Sequence, residues 1–406
     1  MKRGENDFVF FGKGSQILPQ EEVLEVARSK KQFSVGIPRE TAFEENRIAL
    51  VPEAVSVLVQ NGHKIIVQSK AGENSFFTDK EFANAGAEVV YSVSEVFNAD
   101  MVLKVSPISD KEIEYLRPGQ VVISTLAMLM QKPSYFKALS EKRVTAISFE
   151  FLRDQANSFP LVRSMGEIAG TASVLIASEY LACKKFGKGR MFGNFTGITP
   201  TEVVIIGAGT VAQNAARAAI GLGAVVKVFD NNIYKIQRLE ANLSTRLFSS
   251  IIQPKVLMKS LKTADVLIGA LHSPMGRTPT VVPDEMVSQM KYGSVIVDVS
   301  IDQGGCIETS RITNHTNPVF QKHGVIHYCV PNIASRFPRT ASYSFSNYFA
   351  PVLLAVGDSG GVENLLKKDS GVRKGVYAYS GVLTNRSIGE YFNIPYQDLN
   401  LLLAAF

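Results

Sequence analysis

Val203–Asp230, VVIIGAGTVAQNAARAAIGLGAVVKVFD, reads without interruption as strand, turn, helix and second strand. The apolar run Val203–Ile206 suits a strand buried on both faces of a parallel sheet. Gly207 makes the tight turn, Gly209 lets the backbone approach a pyrophosphate, and Ala212 takes the close helix-to-strand contact where this fingerprint accepts glycine or alanine. The helix that follows offers its free N–H groups to phosphates. Ala224–Phe229 is the next strand and ends in Asp230, where an acid accepts hydrogen bonds from an adenosine ribose. A carboxylate there repels a 2′-phosphate, so the expected cofactor is NAD rather than NADP. A purely structural glycine turn is the alternative, and the terminal acid argues against it.

The rest of the chain is large enough to need more than this one unit. At 406 residues it exceeds a single core, and two domains are expected. An apolar fraction of 46% is that of an ordinary folded soluble protein. No apolar run is long enough for a bilayer, and the opening MKRGENDFVFFGKG has no sustained apolar segment, so a cytoplasmic protein without membrane insertion is expected. Cys183, Cys306 and Cys329 form neither a CxxC nor a metal pattern, so they read as buried thiols and no metal site is expected. The net charge of +6 is scattered, with short clusters only at Lys184-Lys185 and Lys188-Arg190. That distribution points to a solvated surface that attracts anionic metabolites, not to nucleic acid.

From residue 33 the chain alternates strand and helix signals. Strands are expected at Phe33–Ile37, Lys64–Gln68, Glu88–Tyr91, Met101–Val105, Val121–Thr125 and, last of that half, Val144–Ile147. Helices are expected at Pro52–Gln60, Asp79–Ala85 and Asp110–Leu116. Gly166–Leu181 has no breaker and reads as a buried helix that links the domains and lines the cleft. Beyond the phosphate turn, Arg238–Ser249 reads as helical, and Val266–Gly269, Ser294–Val299 and Val325–Cys329 as strands. Arg336–Arg339 crosses back, and apolar helices near Phe349–Gly357 and Leu399–Ala405 pack on the first half. The expected fold class is therefore α/β, with two Rossmann-like, doubly wound parallel-sheet domains and a cleft between them. Residues 33–165 plus 340–406 would form one domain and 166–339 the nucleotide domain. Residues 1–32 would be an extension, with a short helix over Glu21–Lys31.

Ligands of doubly wound sheets lie beyond the carboxyl ends of the strands, so residues there carry the candidates. Asp302, in SIDQGGC, is either a carboxylate opposite the nicotinamide or a capping acid at a helix start. His272 is either an acid or base near the nicotinamide or a structural histidine. Arg39 and Arg47 follow the first strand, where a guanidinium grips a carboxylate with two parallel hydrogen bonds, or else pairs with the neighbouring glutamates. Lys104 and Ser106 lie two apart and share a face, with Lys104 pointing into the cleft or remaining a sheet-end lysine.

IGAGTVAQNAARAAIGLGA with Asp230, VDVSIDQGGCIETSR and YCVPNIAS occur in order behind GIPRETAFEENRIALVPEAV and GHKIIVQSKAGENSFFTD. Together they resemble the alanine dehydrogenase family, which includes the NAD-binding subunit of proton-translocating transhydrogenase. The resemblance runs from about Phe33 to the C-terminus. It implies two Rossmann-like domains, interconversion of alanine with pyruvate and ammonium using NAD, and assembly as a homo-oligomer, hexamer or dimer. It implies Arg47 as the arginine that binds the carboxylate of a small amino or oxo acid and Asp302 as the active-site aspartate. It places Thr210, Val211, Asp230, Lys235, Leu271, Arg311 and Asn332 in the dinucleotide site. Two departures stand against it. The family's substrate-binding lysine is Ser106 in LKVSP, and its catalytic histidine is Ala127 in STLAMLM. The serine that often precedes the glutamate of the linking helix is Gly166. Loss of a keto-oxygen ligand and of a proton carrier would impair the ordinary reaction, since acid–base catalysis contributes about 10² to 10⁴ in rate. Either Lys104, Asp302 or His272 substitutes, or the substrate differs, or NAD binds without this turnover.

Overall fold

Alternating apolar stretches and turn residues produce fifteen short strands in the computed structural model, which describes residues 31–273 and 276–404. In chain order these are β1 (Ser34–Ile37), β2 (Lys64–Gln68), β3 (Glu88–Val90), β4 (Met101–Leu103), β5 (Val121–Ser124), β6 (Thr145–Ser148), β7 (Glu202–Ile206) and β8 (Val225–Phe229). They continue with β9 (Phe248–Ser250), β10 (Val266–Gly269), β11 (Val295–Asp298), β12 (Val319–Lys322), β13 (Val325–Tyr328), β14 (Val376–Tyr379) and β15 (Val382–Leu383). The first sheet is ordered β15-β14-β6-β5-β4-β1-β2-β3, the second β12-β13-β11-β10-β7-β8-β9. Each contains the doubly wound order, which reverses direction between β1 and β4 in one sheet and between β7 and β10 in the other. Ligands of this architecture bind at those reversals. The expected fold class is the one observed.

Several helices follow the sequence signals closely. Pro52–Gln60 starts with proline in its first turn, and Asp79–Asn84 carries a capping box of Thr78 and Glu81. The linking helix is longer than expected, Pro160–Ala182, and it is buried on one face only. Ala169, Ala172, Ile176 and Ala177 pack on the second sheet while Leu175 stays half exposed. Gly170 allows a close crossing with the helix Thr210–Gly221, because a Cβ there would collide with the Val211 carbonyl. The chain returns through Ile333–Arg336 into the helix Pro338–Asp358, whose Phe345, Phe349 and Leu353 join the core of the first sheet, as do Leu399 and Leu403.

Two expectations need correction. The helix read over Arg238–Ser249 is instead Ile233–Leu243, stopped by Ser244 in the left-handed region, and Phe248–Ser250 is the edge strand β9. Val144–Ile147 is not the last strand of its sheet, because β14 pairs antiparallel with β6 and β15 with β14. These strands are added from more than two hundred residues away, and no local pattern announces that pairing. The helix expected over Glu21–Lys31 falls almost wholly outside the described residues. Among the described residues, no helix is long and apolar enough to cross a membrane.

His327 on β13 is fully buried and stacked on Phe320. Its Nδ1 faces the Val325 carbonyl at 3.0 Å and its Nε2 the Thr309 hydroxyl at 2.7 Å, an arrangement suited to the neutral ring. Burial depresses its pKa to about 4. A depressed histidine contributes stability above its unfolded pKa, and that contribution is lost as pH falls toward the folded value. Denaturant unfolding of the wild type should therefore lose about 3 kcal/mol from this group between pH 6.5 and pH 4. His327→Gln should flatten that slope, and an unchanged slope would exclude this role.

Candidate functional site

The phosphate turn lies at the reversal of the second sheet. Gly207 has φ +112, and a Cβ on it would stand 2.5 Å from the Ala270 carbonyl oxygen, so only glycine fits. Gly209 differs, having no positive φ and nothing within 4 Å of the position its Cβ would take. This open side, bordered by the N-terminus of the Thr210–Gly221 helix, gives a phosphate room to meet backbone N–H groups. Thr210 and Val211 form the first turn of that helix and are half-buried. Asp230 follows β8 and is buried. One of its oxygens accepts the Ala208 N–H at 2.7 Å and the other the Asn232 N–H at 2.7 Å. The carboxylate thus braces the turn, and each oxygen keeps a further lone pair for a ribose hydroxyl.

Opposite, the loop after β1 carries Arg47, which is buried although charged. Its Nε and Nη2 donate to the two oxygens of Glu45 at 2.7 and 2.5 Å. Its guanidinium carbon lies 5.3 Å from the centre of the Phe345 ring. Glu45 also accepts from Asn332 Nδ2 at 3.1 Å, and the Asn332 backbone N–H donates to Asp302 at 2.8 Å. Arg47, Glu45, Asn332 and Asp302 therefore form one polar line across the cleft. Asn332 holds φ +53, a left-handed conformation that asparagine tolerates better than most residues.

Asp302 is exposed at the cleft surface, with the Asn332 backbone and Arg47 close by. Desolvation raises its pKa, opposed by the Asn332 N–H and by the charge of Arg47. A ligand bound against its exposed face would add to that desolvation. Asp302 is not the capping acid of its segment. That role belongs to Asp298, which caps the short helical turn Val299–Gln303 by accepting the Ser300 N–H. Burial lifts Asp298 to about 6, and the Ser310 hydroxyl and the Cys306 and Ser300 N–H groups counter the rise.

Lys104 does not present its ammonium to the open cleft. It is 1% exposed and its Nζ is held by Glu112 at 2.8 and 2.9 Å. Glu40 lies 3.8 Å from the same Nζ. Glu40 also accepts the Val105 N–H at 2.5 Å, the Ser106 N–H at 3.2 Å and the Ser106 hydroxyl. Burial raises the Glu40 pKa, Lys104 lowers it and Glu45 raises it further. Ala127 has φ +46, and its N–H and that of Leu126 donate to Glu150 at 3.0 and 2.7 Å. Glutamates thus surround both positions where the resemblance calls for a basic side chain.

The remaining candidates are more dispersed. His272 is exposed just beyond β10, and the crowded loop and the charge of Lys235 depress its pKa against a hydrogen bond with Gln303. The Leu271 carbonyl accepts the Ser300 hydroxyl at 2.9 Å. Arg311 is exposed and stacks on Phe320 of the edge strand β12. Arg39 is exposed, and its backbone N–H meets Gln68 at 2.9 Å. At Gly166, a Cβ would make ordinary contact with Thr210 at 3.5 Å. Sequence reasoning singled out neither Glu40, Glu45 and Glu150 nor Asp298 as site residues. The one available signal for the first two was three acids, Glu40, Glu44 and Glu45, in a loop with no helical period.

The chain is similar to known proteins over nearly its whole described length. Residues 36–169 match the family description "Alanine dehydrogenase/PNT, N-terminal domain", and residues 173–386 match "Alanine dehydrogenase/PNT, C-terminal domain". It is 37% identical over 364 residues to an alanine dehydrogenase of Methanococcus maripaludis, spanning 89% of this chain and 97% of that one. An alanine dehydrogenase of Mycolicibacterium smegmatis is 36% identical over 371 residues, 91% and 100% of the two chains. Among solved structures, an L-alanine dehydrogenase superposes with a TM-score of 0.82 at 33% identity, covering 89% of this chain and 99% of that one. A transhydrogenase from Sinorhizobium meliloti, at 24% identity and covering 86% and 100%, shares the fold with a TM-score of 0.74.

The two turn glycines should behave differently on substitution. Gly207→Ala should cost more than about 2 kcal/mol in denaturant unfolding, from backbone strain and collision with Ala270. Gly209→Ala should stay within about 0.5 kcal/mol of the wild type. Equal losses would contradict the geometry of the turn.

Proposed function

The chain belongs to the alanine dehydrogenase/PNT family, and on that premise we propose that it is an NAD-dependent dehydrogenase of a small amino acid, with L-alanine as substrate. The reaction is L-alanine, NAD and water to pyruvate, ammonium, NADH and a proton. The observation that carries this reading is the polar line from Arg47 through Glu45 and Asn332 to Asp302, spanning the cleft beside the open phosphate turn. Bound NAD would supply the hydride acceptor for the substrate Cα–H bond. Gly207, Gly209, Thr210 and Val211 would hold its pyrophosphate and Asp230 its adenosine ribose, with Lys235, Leu271, Arg311 and Asn332 also in the dinucleotide site. Arg47 would grip the substrate carboxylate. Asp302, whose pKa is raised, would hold and release the proton that moves as the amino group becomes an imine and water replaces it. In this reading residues 33–165 with 340–406 serve the substrate, 166–339 serve the cofactor, and the protein works as a homo-oligomer.

A second reading is that NAD binds while alanine turnover is lost or replaced by another substrate. Ser106 and Ala127 favour it. The Ser106 hydroxyl is engaged by Glu40, and the Ala127 side chain has no group that could carry a proton. Lys104 does not make good the loss, since Glu112 and Glu40 surround its ammonium.

Calorimetric titration should show tighter binding of NAD than of NADP, and equal or reversed affinities would refute the cofactor assignment. Following NADH absorbance with L-alanine, beside other amino and hydroxy acids, decides between the readings. Turnover of about 1 to 10³ per second on alanine is what the first expects, and Asp302→Asn should then lower turnover far more than NAD affinity. Under the second, Ser106→Lys combined with Ala127→His should raise alanine turnover non-additively, since both groups act on one bound substrate. The left-handed backbone at residue 127 tolerates histidine.

A further inference from the structure

We propose that Glu45 is a positioning residue, which turns the free edge of the Arg47 guanidinium toward the substrate carboxylate and neutralises its charge so that monocarboxylates are preferred. The proposal rests on the amino-acid-binding reading of this cleft.

A guanidinium has five N–H donors in one plane. Glu45 takes the side-on edge, with Oε1 accepting from Nε at 2.7 Å and Oε2 from Nη2 at 2.5 Å. Oε1 is itself fixed by the Arg47 backbone N–H at 3.1 Å. Nη1 is left with the Met165 sulfur at 3.5 Å, a weak acceptor. The donors still available are those of the end-on edge, Nη1 and Nη2, which run parallel and match the two oxygens of a carboxylate. Phe345 limits tilting of the plane. Glu45 and Arg47 are each below a tenth exposed, so water does not substitute easily for either partner.

Glu45 also reaches the other half of the molecule, since its Oε2 accepts from Asn332 Nδ2 at 3.1 Å. The orientation of the anchor is thereby set by the same residue whose backbone N–H holds Asp302. The charge balance supports the selectivity. Glu45 offsets Arg47 and Glu112 offsets Lys104 at hydrogen-bonding distance, while Glu40, 3.8 Å from the Lys104 ammonium, Glu150 and Asp302 have no cation that close among the described residues. A ligand with one carboxylate meets a satisfied fork. A second carboxylate meets acids, because the position that could supply another cation is Ser106.

The test uses the full-length protein loaded with NADH or NAD, with pyruvate and oxaloacetate as keto acids beside ammonium, and calorimetric binding of pyruvate. Glu45→Gln should raise the pyruvate KM about ten- to hundredfold, the worth of a buried charge-assisted hydrogen bond, with kcat less affected and NAD affinity unchanged. The preference for pyruvate over oxaloacetate should fall about tenfold, because Arg47 regains net charge. Glu45→Asp, which keeps the charge on a shorter stem, should restore the preference while recovering only part of the KM. Wild-type KM and preference in Glu45→Gln would overturn the proposal, as would equal losses of NAD affinity and pyruvate affinity in both variants. Should Glu45→Gln not fold, a wild-type pyruvate KM in Glu45→Asp would overturn it. Failure of the wild type to bind pyruvate at all would instead overturn the functional reading, and the proposal with it.

Discussion

Three consecutive residues, Glu44, Glu45 and Asn46, each bond to the opposite half of the molecule, and the geometry of the cleft depends on them. Glu44 accepts the His315 N–H with its carboxylate and the Ser335 hydroxyl with its carbonyl. Glu45 accepts from Asn332, and the Asn46 N–H donates to the Ser335 hydroxyl at 2.9 Å. Glu44 has φ +59, so the loop is bent in a way that few residues adopt without such partners. Immediately beyond it, the Ile48 and Val51 N–H groups donate to Ser342 and Ser346 on the returning helix. A short loop held from both directions keeps the carboxyl edges of the two sheets facing each other, which is where doubly wound folds place ligands.

The electrostatics around Glu40 follow from one small residue, Ser106. A lysine at position 106 would bring a charge to Glu40. Serine brings only a hydroxyl, so the charge balance at Glu40 rests on the more distant ammonium of Lys104. The pairing of Lys104 with Glu112 is itself a structural device, because the Glu112 carboxylate completes the capping box of the helix Asp110–Tyr115 with Ser109. Removing Lys104 would leave that buried carboxylate without its charge partner, a costly state. Lys104 therefore has a sufficient structural reason to be a lysine.

Much of the fold was legible because local chemistry and tertiary context agree. Val203–Asp230 forms the predicted unit, and Pro52–Gln60 runs between its predicted ends because proline suits a first turn and Asn61-Gly62 stops a helix. The failures lie where distant chain decides. Phe248–Ser250 pairs with β8 instead of continuing a helix, and β14 exists as a strand because β6 offers an open edge. The site divides in the same way. Gly207 and Asp230 carry a spacing that can be read in one dimension. Glu45, Glu40 and Glu150 do not, since their importance lies in which backbone and side-chain donors the fold brings to them. Asp302 and Asp298 are four residues apart in one strand end, and only the structure tells the open carboxylate from the capping one.

The return of the chain has a bearing on how the molecule is made. The strands of the second sheet run without interruption from Glu202 to Tyr328, so that sheet can assemble as soon as this stretch has left the ribosome. The sheet begun first must wait longer. Its core lacks Phe345, Phe349, Leu353, Leu399 and Leu403, and its edge lacks β14 and β15, until the last part of the chain is synthesised. During translation the earliest strands therefore stand with an open edge and an uncovered apolar face, the condition in which nascent chains call on chaperones. The half that is synthesised first is the half that is completed last.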